Sequence, residues 1–395
     1  MVRIAGWLAR SFGGCGLLDL FLLAWGGGTL ALHVTTAALP PPRHARRPGR
    51  RTAAAILVPL QGERDASPRF FTALRRQLRP DDQVLICCAR DEDGAVAPAR
   101  AFVASLAGGM GAVLIGDEAP TGNPKLDNLV KGFAAADRPL LILVDGGLDL
   151  PPGYLDDAVA QLGNDIGLVS AAKAGCEPSG LAAEIECAFL NGHQLRWLEL
   201  ADRLGGITAV GGVMTLTAEV FARMGGVTAM AAASAEDHAA ALAVRRLGLR
   251  TRLIAKGAPH PVGKRRFAEI WGRQLRWARH RKRMVPIVFA LEPLAGLIAS
   301  VGCLTAGLTA LWGLTPLQAG FWGATQAGLW MAAETVWLKQ RRMHFNQFHL
   351  VAMMARELIM PGVALHALAG RDIWWRGRRM GDANGNELHK AEGGG

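Results

Sequence analysis

Five short, nearly continuous apolar runs constrain the first two thirds of this 395-residue chain: Ala54–Leu60 (AAILVPL), Gln83–Ala89 (QVLICCA), Ala112–Gly116 (AVLIG), Leu140–Asp145 (LLILVD) and Ile166–Ala171 (IGLVSA). Helix-permissive stretches lie between most of them. Short runs without polar alternation read as strands buried on both faces, and their alternation with helices makes the strands parallel. Right-handed crossovers then give an open, doubly wound α/β sheet whose ligands sit beyond the carboxyl ends of the strands. Neither GxGxxG nor GxxxxGK[ST] follows the first run, which excludes a dinucleotide fingerprint and a P-loop.

Acidic residues stand at those carboxyl ends. Asp91 and Asp93 follow the second run, Asp145 closes the fourth, and Asp149 comes soon after. One such residue can be a turn former or a helix cap. Together they describe a pocket too negative to stay unpaired, and Mg2+ or Mn2+ would resolve it, because hard cations take oxygen ligands. A cation bridging to a diphosphate would also account for Gly146 and Gly147, which let a bulky ligand approach the backbone. Gly122-Asn-Pro-Lys125-Leu-Asp-Asn128-Leu reads as a loop entering a helix. There Lys125 and free N–H groups either hold a phosphate or sugar hydroxyl or form a plain helix start.

Glu184–Leu204 reads as one helix carrying His193, which is either an acceptor contact or an exposed polar residue. Gly205–Thr217 reads as a glycine-interrupted strand in close contact with a ligand. Ser234 is placed to cap the next helix, with Asp237 three residues on. That carboxylate either complements the helix dipole or serves as a general base.

The chain changes character at Arg265–Met284, RRFAEIWGRQLRWARHRKRM. As a helix it has an apolar side (Phe267, Ile270, Trp271, Leu275, Trp277) and dense positive charge, which suits an anionic membrane surface. Arg273, Arg276 and Trp277 have the spacing to share a face. Apolar stretches lie on both sides: Gly16–Leu39 is long enough to span a bilayer, as are Pro286–Trp312 and Leu317–Leu338. His349–Ala369 contains Arg356, Glu357 and Pro361, and reads as a re-entrant or interfacial helix with those charges paired inside protein.

The chain is 50% hydrophobic with eleven tryptophans, as a membrane protein would be, and its net charge of +11 is concentrated at the ends of apolar stretches. That distribution fits lipid headgroups rather than a nucleic-acid groove. Five arginines between Arg43 and Arg51, against Arg3 and Arg10 before the first apolar segment, orient residues 40 onward to the cytoplasm. The six cysteines include no CxxC pair and read as reduced core residues.

The ordered set Asp91, Asp145, Asp237 and Arg273-x-x-Arg276-Trp277 resembles the D, D, D, (Q/R)XXRW signature of the ceramide glucosyltransferase family, inverting enzymes with a nucleotide-sugar donor. Asn123-Pro-Lys-Leu-Asp-Asn-Leu129 is similar to that family's NPK-x-NNL loop and Ala235-Glu-Asp237 to its AED, while Arg356-Glu357 and Trp374-Trp375-Arg376 resemble its C-terminal region. The chain departs from the pattern at Asp145-Gly-Gly (Asp-Ser-Gly in the family), at Gln61 and Glu63 after the first run, and at Asp127 in place of asparagine. Bacterial relatives in the group also glycosylate hopanoids.

The resemblance implies a GT-A-type, Rossmann-like mixed sheet with membrane helices at both ends. The expected layout is an anchor at 1–39, a basic linker at 40–52, a cytoplasmic catalytic domain at 53–264, an interfacial helix at 265–284, a membrane region at 285–380 and a disordered tail at 381–395. The implied reaction carries glucose from UDP-glucose to the primary hydroxyl of ceramide at the inner membrane. Asp91 would contact the nucleotide, and Asp145 would hold Mg2+ or Mn2+ on the diphosphate with Lys125 near it. Asp237 would act as base. Arg273 and Arg276 would stabilise the departing diphosphate, and Trp277 and His193 would shape the acceptor site. The alternatives are another sugar, such as N-acetylglucosamine, onto a hopanoid, or a catalytically inactive lipid-binding protein.

Overall fold

The computed structural model describes residues 16–41, 51–116, 121–206, 209–375 and 378–380. Helix α1 spans Leu17–Ala38. Strands β1 (Ala54–Leu60), β2 (Gln83–Cys88) and β3 (Gly111–Ile115) follow, then helix α2 (Pro124–Ala135) and strand β4 (Leu140–Val144). Strands β5 (Ile166–Ala171) and β6 (Lys173–Ser179) lead into α3 (Leu181–Cys187), a π-helical stretch (Ala188–Leu195) and α4 (Arg196–Arg203). Next come β7 (Val213–Thr217), α5 (Glu236–Arg246), β8 (Arg250–Leu253) and β9 (Ala258–Lys264). Helices α6 (Phe267–Met284), α7 (Leu297–Trp312), α8 (Pro316–Gln340) and α9 (Gln347–Ala369) precede a short hairpin, β10 (Ile373–Trp375) and β11 (Arg378–Met380). These elements form two compact units, Pro42–Arg266 with the chain from Arg371 onward, and the helical unit of the first 41 residues with Phe267–Gly370.

The α/β unit is built on a seven-stranded sheet in the order β3-β2-β1-β4-β7-β5-β8. The five apolar runs are its strands β1 to β5, and β1 to β4 are parallel. Strand β7 enters between β4 and β5, antiparallel to both, so the sheet is mixed. Period-2 geometry sorts the core. Ile56 and Val58 pack on one face with Phe70, Ile86 and Ile142, whereas Ala55 and Leu57 pack on the other with Leu126, Leu129 and Met214. The apolar runs do not signal β8 (RTRL) or the separate parallel ribbon β6/β9, because those strands are rich in charge, proline and glycine. Glu184–Leu204 is not one regular helix: the ladder passes through a π stretch at Ala188–Leu195, the kind of irregularity that often marks a functional position. The five described cysteines are free.

The helical unit reverses the usual polarity of a soluble protein. Phe21, Ile287, Leu317, Phe321, Leu358 and Leu365 are all exposed, while Glu334, Arg356 and Glu357 are buried. The Arg356 guanidinium donates to both oxygens of Glu334 (2.6 and 2.8 Å) and to Glu357 Oε1 (2.6 Å), and Glu357 Oε2 accepts from the backbone N–H of Leu297 at the start of α7 (2.8 Å). Charges inside and large apolar side chains outside suit a hydrocarbon environment.

Two helices, α1 and α9, are long and apolar enough to cross a membrane. The segment at 349–369 lies within one continuous helix that contains Pro361. Pro286–Trp312 is not one helix. A short turn of helix (Pro286–Leu291) and a 3-10 turn (Pro293–Ala295) precede α7, with the break at Pro293 and Gly296.

The glycine run at 26–28 reads as a weakness in an isolated helix, yet Gly26 is a point of close packing between α1 and α7. A Cβ on Gly26 would lie 2.4 Å from the Leu304 backbone nitrogen and 2.6 Å from the Ser300 carbonyl oxygen. Thr29 Oγ1 donates to Ser300 Oγ beside it (2.8 Å). Small residues permit such backbone approach between membrane helices. Gly26→Val should cost about 1–3 kcal/mol through overpacking, read as a lower melting temperature of the detergent-solubilised protein, whereas Gly28→Ala, where a Cβ meets nothing within 4 Å, should leave it unchanged.

Candidate functional site

The site forms where several chain ends reach one edge of the sheet. The parallel strands β1 to β4 finish there, and β7 begins there because it runs antiparallel to β4, with Val144 opposite Val213. The backbone N–H of Asp145 donates to the Gly212 carbonyl (3.0 Å), which fixes the residue after β4 beside the residue before β7. Helix α2 starts at this edge after β3, and the N-terminus of α5 lies alongside it. The Asn123 side chain joins the two helix starts. Its Oδ1 accepts from the N–H groups of Lys125 (3.0 Å) and Leu126 (3.3 Å), and its Nδ2 donates to Glu236 Oε2 (2.8 Å). Asparagine is suited to this, since it caps and donates at once.

Lys125 sits at the centre. Its Nζ lies 2.8 Å from Asp145 Oδ1 and 2.8 Å from Glu236 Oε1, and it donates to the Gly211 carbonyl at 3.3 Å. A Cβ on Gly211 would lie 2.8 Å from that Nζ and 3.4 Å from Asp237 Oδ2, so only glycine leaves room for the lysine here. Asp145 Oδ2 takes a second ammonium, Lys173 Nζ, at 2.9 Å.

Two lysines and two ionised carboxylates balance. Burial opposes the charge on Lys125, but Asp145 and Glu236 outweigh it and hold the lysine pKa above its ordinary value. Burial likewise works against Asp145 and Glu236, and the lysines overcome it and keep both below the usual carboxylate range.

Asp237 is the exception. Burial, then the negative charges of Glu236 and Asp145, push its carboxyl up to about 7, against the pull of Lys125 and of the His238 N–H that donates to it at 2.7 Å. Of two adjacent carboxyls, Glu236 takes the lysine and Asp237 is left as the weak acid. The helix N-cap here is Ala235 and not Ser234, because α5 begins one residue later than the capping pattern suggests. Beside Asp145, His260 is buried and shares a hydrogen bond with the Gly147 carbonyl (3.2 Å), and burial followed by the Lys173 charge lowers its pKa to about 3. It is a neutral imidazole.

Lys125, Asp145 and Asp237 are therefore brought together. Asp91 is not part of the cluster. It follows β2, two strands from β4, and pairs on the surface with Arg100 (2.6 Å). Asp149 is held by Arg69, which also grips Glu177. His193 lies half-buried on the π stretch, edge-on to Phe189. Gly146 is required by packing: a Cβ there would lie 2.6 Å from the Asp65 Cβ and 2.8 Å from Leu60, so the space kept open is filled by protein and not by a ligand.

Arg273, Arg276 and Trp277 belong to α6 in the helical unit. That helix packs against α9 through Trp271, Leu275 and Ala278, and Lys282 donates to the carbonyls of Ala367, Leu368 and Gly370 at the end of α9. At 3.6 residues per turn, Arg273, Arg276 and Trp277 lie on the side of α6 opposite that stripe.

Glu236, Asn123 and Lys173 join the cluster without being marked by the spacing of the acidic residues. Glu236 and Asn123 stand inside the Ala235-Glu-Asp237 and Asn123–Leu129 stretches, and Lys173 follows the apolar run of β5, at the same carboxyl edge as Asp145. A lone lysine just beyond a buried strand is the available signal.

A mixed seven-stranded sheet with its polar groups gathered at the carboxyl edge is the GT-A type of nucleotide-sugar fold. The same fold is seen in the mannosyltransferase PcManGT of Pyrobaculum calidifontis, solved in complex with GDP-Man and Mn2+: the TM-score is 0.55 at 18% identity, over 86% of this chain and 98% of that one. The chain belongs to Glycosyl transferase family 21, whose signature matches residues 18–388. It is 23% identical over 321 residues to ceramide glucosyltransferase 1 of Caenorhabditis elegans, covering 79% of this chain and 66% of that protein. It is 22% identical over 303 residues to ceramide glucosyltransferase 3 of the same organism, covering 74% and 65%. The chain thus spans just under two thirds of the length of these relatives.

Lys125→Met should leave Asp145 and Glu236 short of their shared partner and destabilise the α/β unit by roughly 1–3 kcal/mol. Both carboxylates have depressed pKa values, so their stabilisation is present above the ordinary carboxylate range and is lost as pH falls through the folded values. The acid limb of the melting temperature should therefore be shallower in the variant than in wild type.

Proposed function

We propose that this protein is an inverting glycosyltransferase of the membrane, moving glucose from UDP-glucose to the primary hydroxyl of ceramide. The observation that carries the reading is the division of labour at the start of α5. Glu236 is locked to Lys125 while Asp237, whose carboxylate accepts from the His238 N–H at 2.7 Å, has its pKa pushed up to about 7. A carboxylate with a pKa near the working pH is suited to remove a proton from an alcohol. In the proposed step the acceptor hydroxyl gives its proton to Asp237. Its oxygen attacks the anomeric carbon from the face opposite the diphosphate, the bond to the diphosphate oxygen breaks, and the anomeric configuration inverts.

Asp145 is the residue fitted to a hard divalent cation, Mg2+ or Mn2+. Its carboxylate is ionised, half-buried at the edge of the sheet, and already holds cations on both oxygens. When bound, such an ion would neutralise charge on the leaving diphosphate. Lys125 holds the orientation of Asp145 and adds its own charge beside the donor. Arg273 and Arg276, at the positions of the Arg-x-x-Arg-Trp motif, are assigned to the departing diphosphate, Asp91 to the nucleotide, and Trp277 and His193 to the acceptor. The exposed apolar surface of the helical unit supports multi-pass residence in a membrane, and the arginines before Arg51 support a cytoplasmic catalytic unit at the inner membrane. Such an arrangement suits a water-soluble donor and a lipid acceptor.

Membranes carrying the protein, incubated with UDP-glucose and ceramide, should form glucosylceramide detectable by mass spectrometry. Turnover with a hopanoid or another sugar nucleotide, and none with this pair, would replace the substrates and keep the mechanism. Asp237→Asn should lower the rate by about 10²–10⁴-fold, and unchanged transfer would remove the base from the mechanism. Because Asp237 must be ionised to accept a proton, kcat/KM should fall on the acid side of about pH 7 and level off above it.

A further inference from the structure

The two lysines on Asp145 are not equivalent. Lys125 is held by three acceptors on three chain segments: Asp145, Glu236 and the Gly211 carbonyl. For the Lys173 ammonium, Asp145 Oδ2 at 2.9 Å is the one partner among the described residues, and its side chain keeps 27% of its exposure. It extends from the first residue of β6, in the two-stranded ribbon outside the main sheet. Losing Lys173 would take one of two ammonium partners from Asp145 alone, whereas losing Lys125 would take a partner from Asp145 and Glu236 together.

The charge balance makes this asymmetry functional. In the donor-free cluster the charges of Lys125 and Lys173 cancel those of Asp145 and Glu236. A divalent cation arriving alone would leave it strongly positive, and a diphosphate arriving alone would leave it strongly negative. Arriving together they largely cancel. Each oxygen of Asp145 already faces an ammonium, so a divalent cation on this carboxylate would meet two like charges at short range, and displacing the more weakly held ammonium relieves that repulsion. Lys173 is the one that can leave, and once displaced it is a free cation on a long, flexible stem beside the diphosphate site.

We infer that Lys173 is a displaceable counter-ion built into the cation site: it holds Asp145 while no donor is bound and transfers to the donor diphosphate when the divalent cation takes its place. This inference rests on the assignment of Asp145 to the metal. It makes cation binding and donor binding mutually dependent, since each relieves the charge imbalance created by the other. It also gives Lys173 a positioning role that the D, D, D, (Q/R)XXRW signature does not contain.

The test uses the full chain in detergent micelles, with Mn2+ alone and then UDP as probes, so it requires neither acceptor nor turnover. In Lys173→Met the donor-free site carries one more net negative charge. Mn2+ affinity without nucleotide, followed by electron paramagnetic resonance, should rise about tenfold, and UDP affinity at saturating Mn2+ should fall about tenfold. Lys173→Arg should stay close to wild type in both. A purely structural lysine predicts the reverse for the metal, because a distorted site binds Mn2+ more weakly. Lys173→Gln gives the same comparison if the methionine variant does not fold. Unchanged or weaker Mn2+ binding, or unchanged UDP binding, overturns the inference, as does failure of every form to bind Mn2+. None of those results touches the role of Asp237, which the rate and pH dependence of transfer decide separately.

Discussion

The ammonium of Lys125 is the contact on which the rest of the candidate site depends. It joins the end of β4 to the start of α5 through Asp145 and Glu236, and its reach requires the bare backbone of Gly211. Removing charged groups from water is unfavourable unless each is matched at short range, and here the matching is close to complete. Burial and the negative charge of Glu236, which is bound to the lysine, raise the pKa of the next carboxyl, Asp237. Two adjacent carboxyls thus differ by one rule: the group with the better partner stays ionised, and the group left over is the weaker acid.

The helical unit applies the same requirement in the opposite solvent. In the α/β unit, apolar side chains fill both faces of the sheet and charges gather at its edge. In the helical unit, large apolar side chains face outward, and the charged groups Glu334, Arg356 and Glu357 satisfy one another inside. Glu357 also receives the first N–H of α7, so a buried carboxylate fills the role that a capping side chain has in water. Close passage of α1 and α7 at Gly26 completes that interior.

Much of the α/β unit was legible because an apolar run carries its own evidence. Strands β1 to β5 have to be buried wherever they are placed, so composition alone locates them. Strands β8 and β9 could not be found this way, since each lies at the edge of its sheet, where an exposed Arg250 and a proline such as Pro259 are tolerated. Gly146 misled in the same way: a glycine beside an aspartate at a strand end suggests room for a ligand, and the room is taken by Asp65. The motif residues Lys125, Asp145 and Asp237 were visible as a set, but which carboxylates pair with the lysine and which is left with the high pKa was not. That depends on which carboxylate the lysine reaches, and no spacing in the chain determines it.

From the sequence alone come the alternating sheet architecture, the apolar helices at both ends, the family signature and the three residues at the centre of the site, because local hydrophobicity and motif order are properties of the chain read in one dimension. The tertiary structure decided that β7 reverses direction between β4 and β5, that Lys173 shares Asp145 with Lys125, and that Asp237 rather than Glu236 is left with the high pKa. Strand direction and ion pairing are choices among distant partners, and their energies exist only once the chain has closed and water has been excluded.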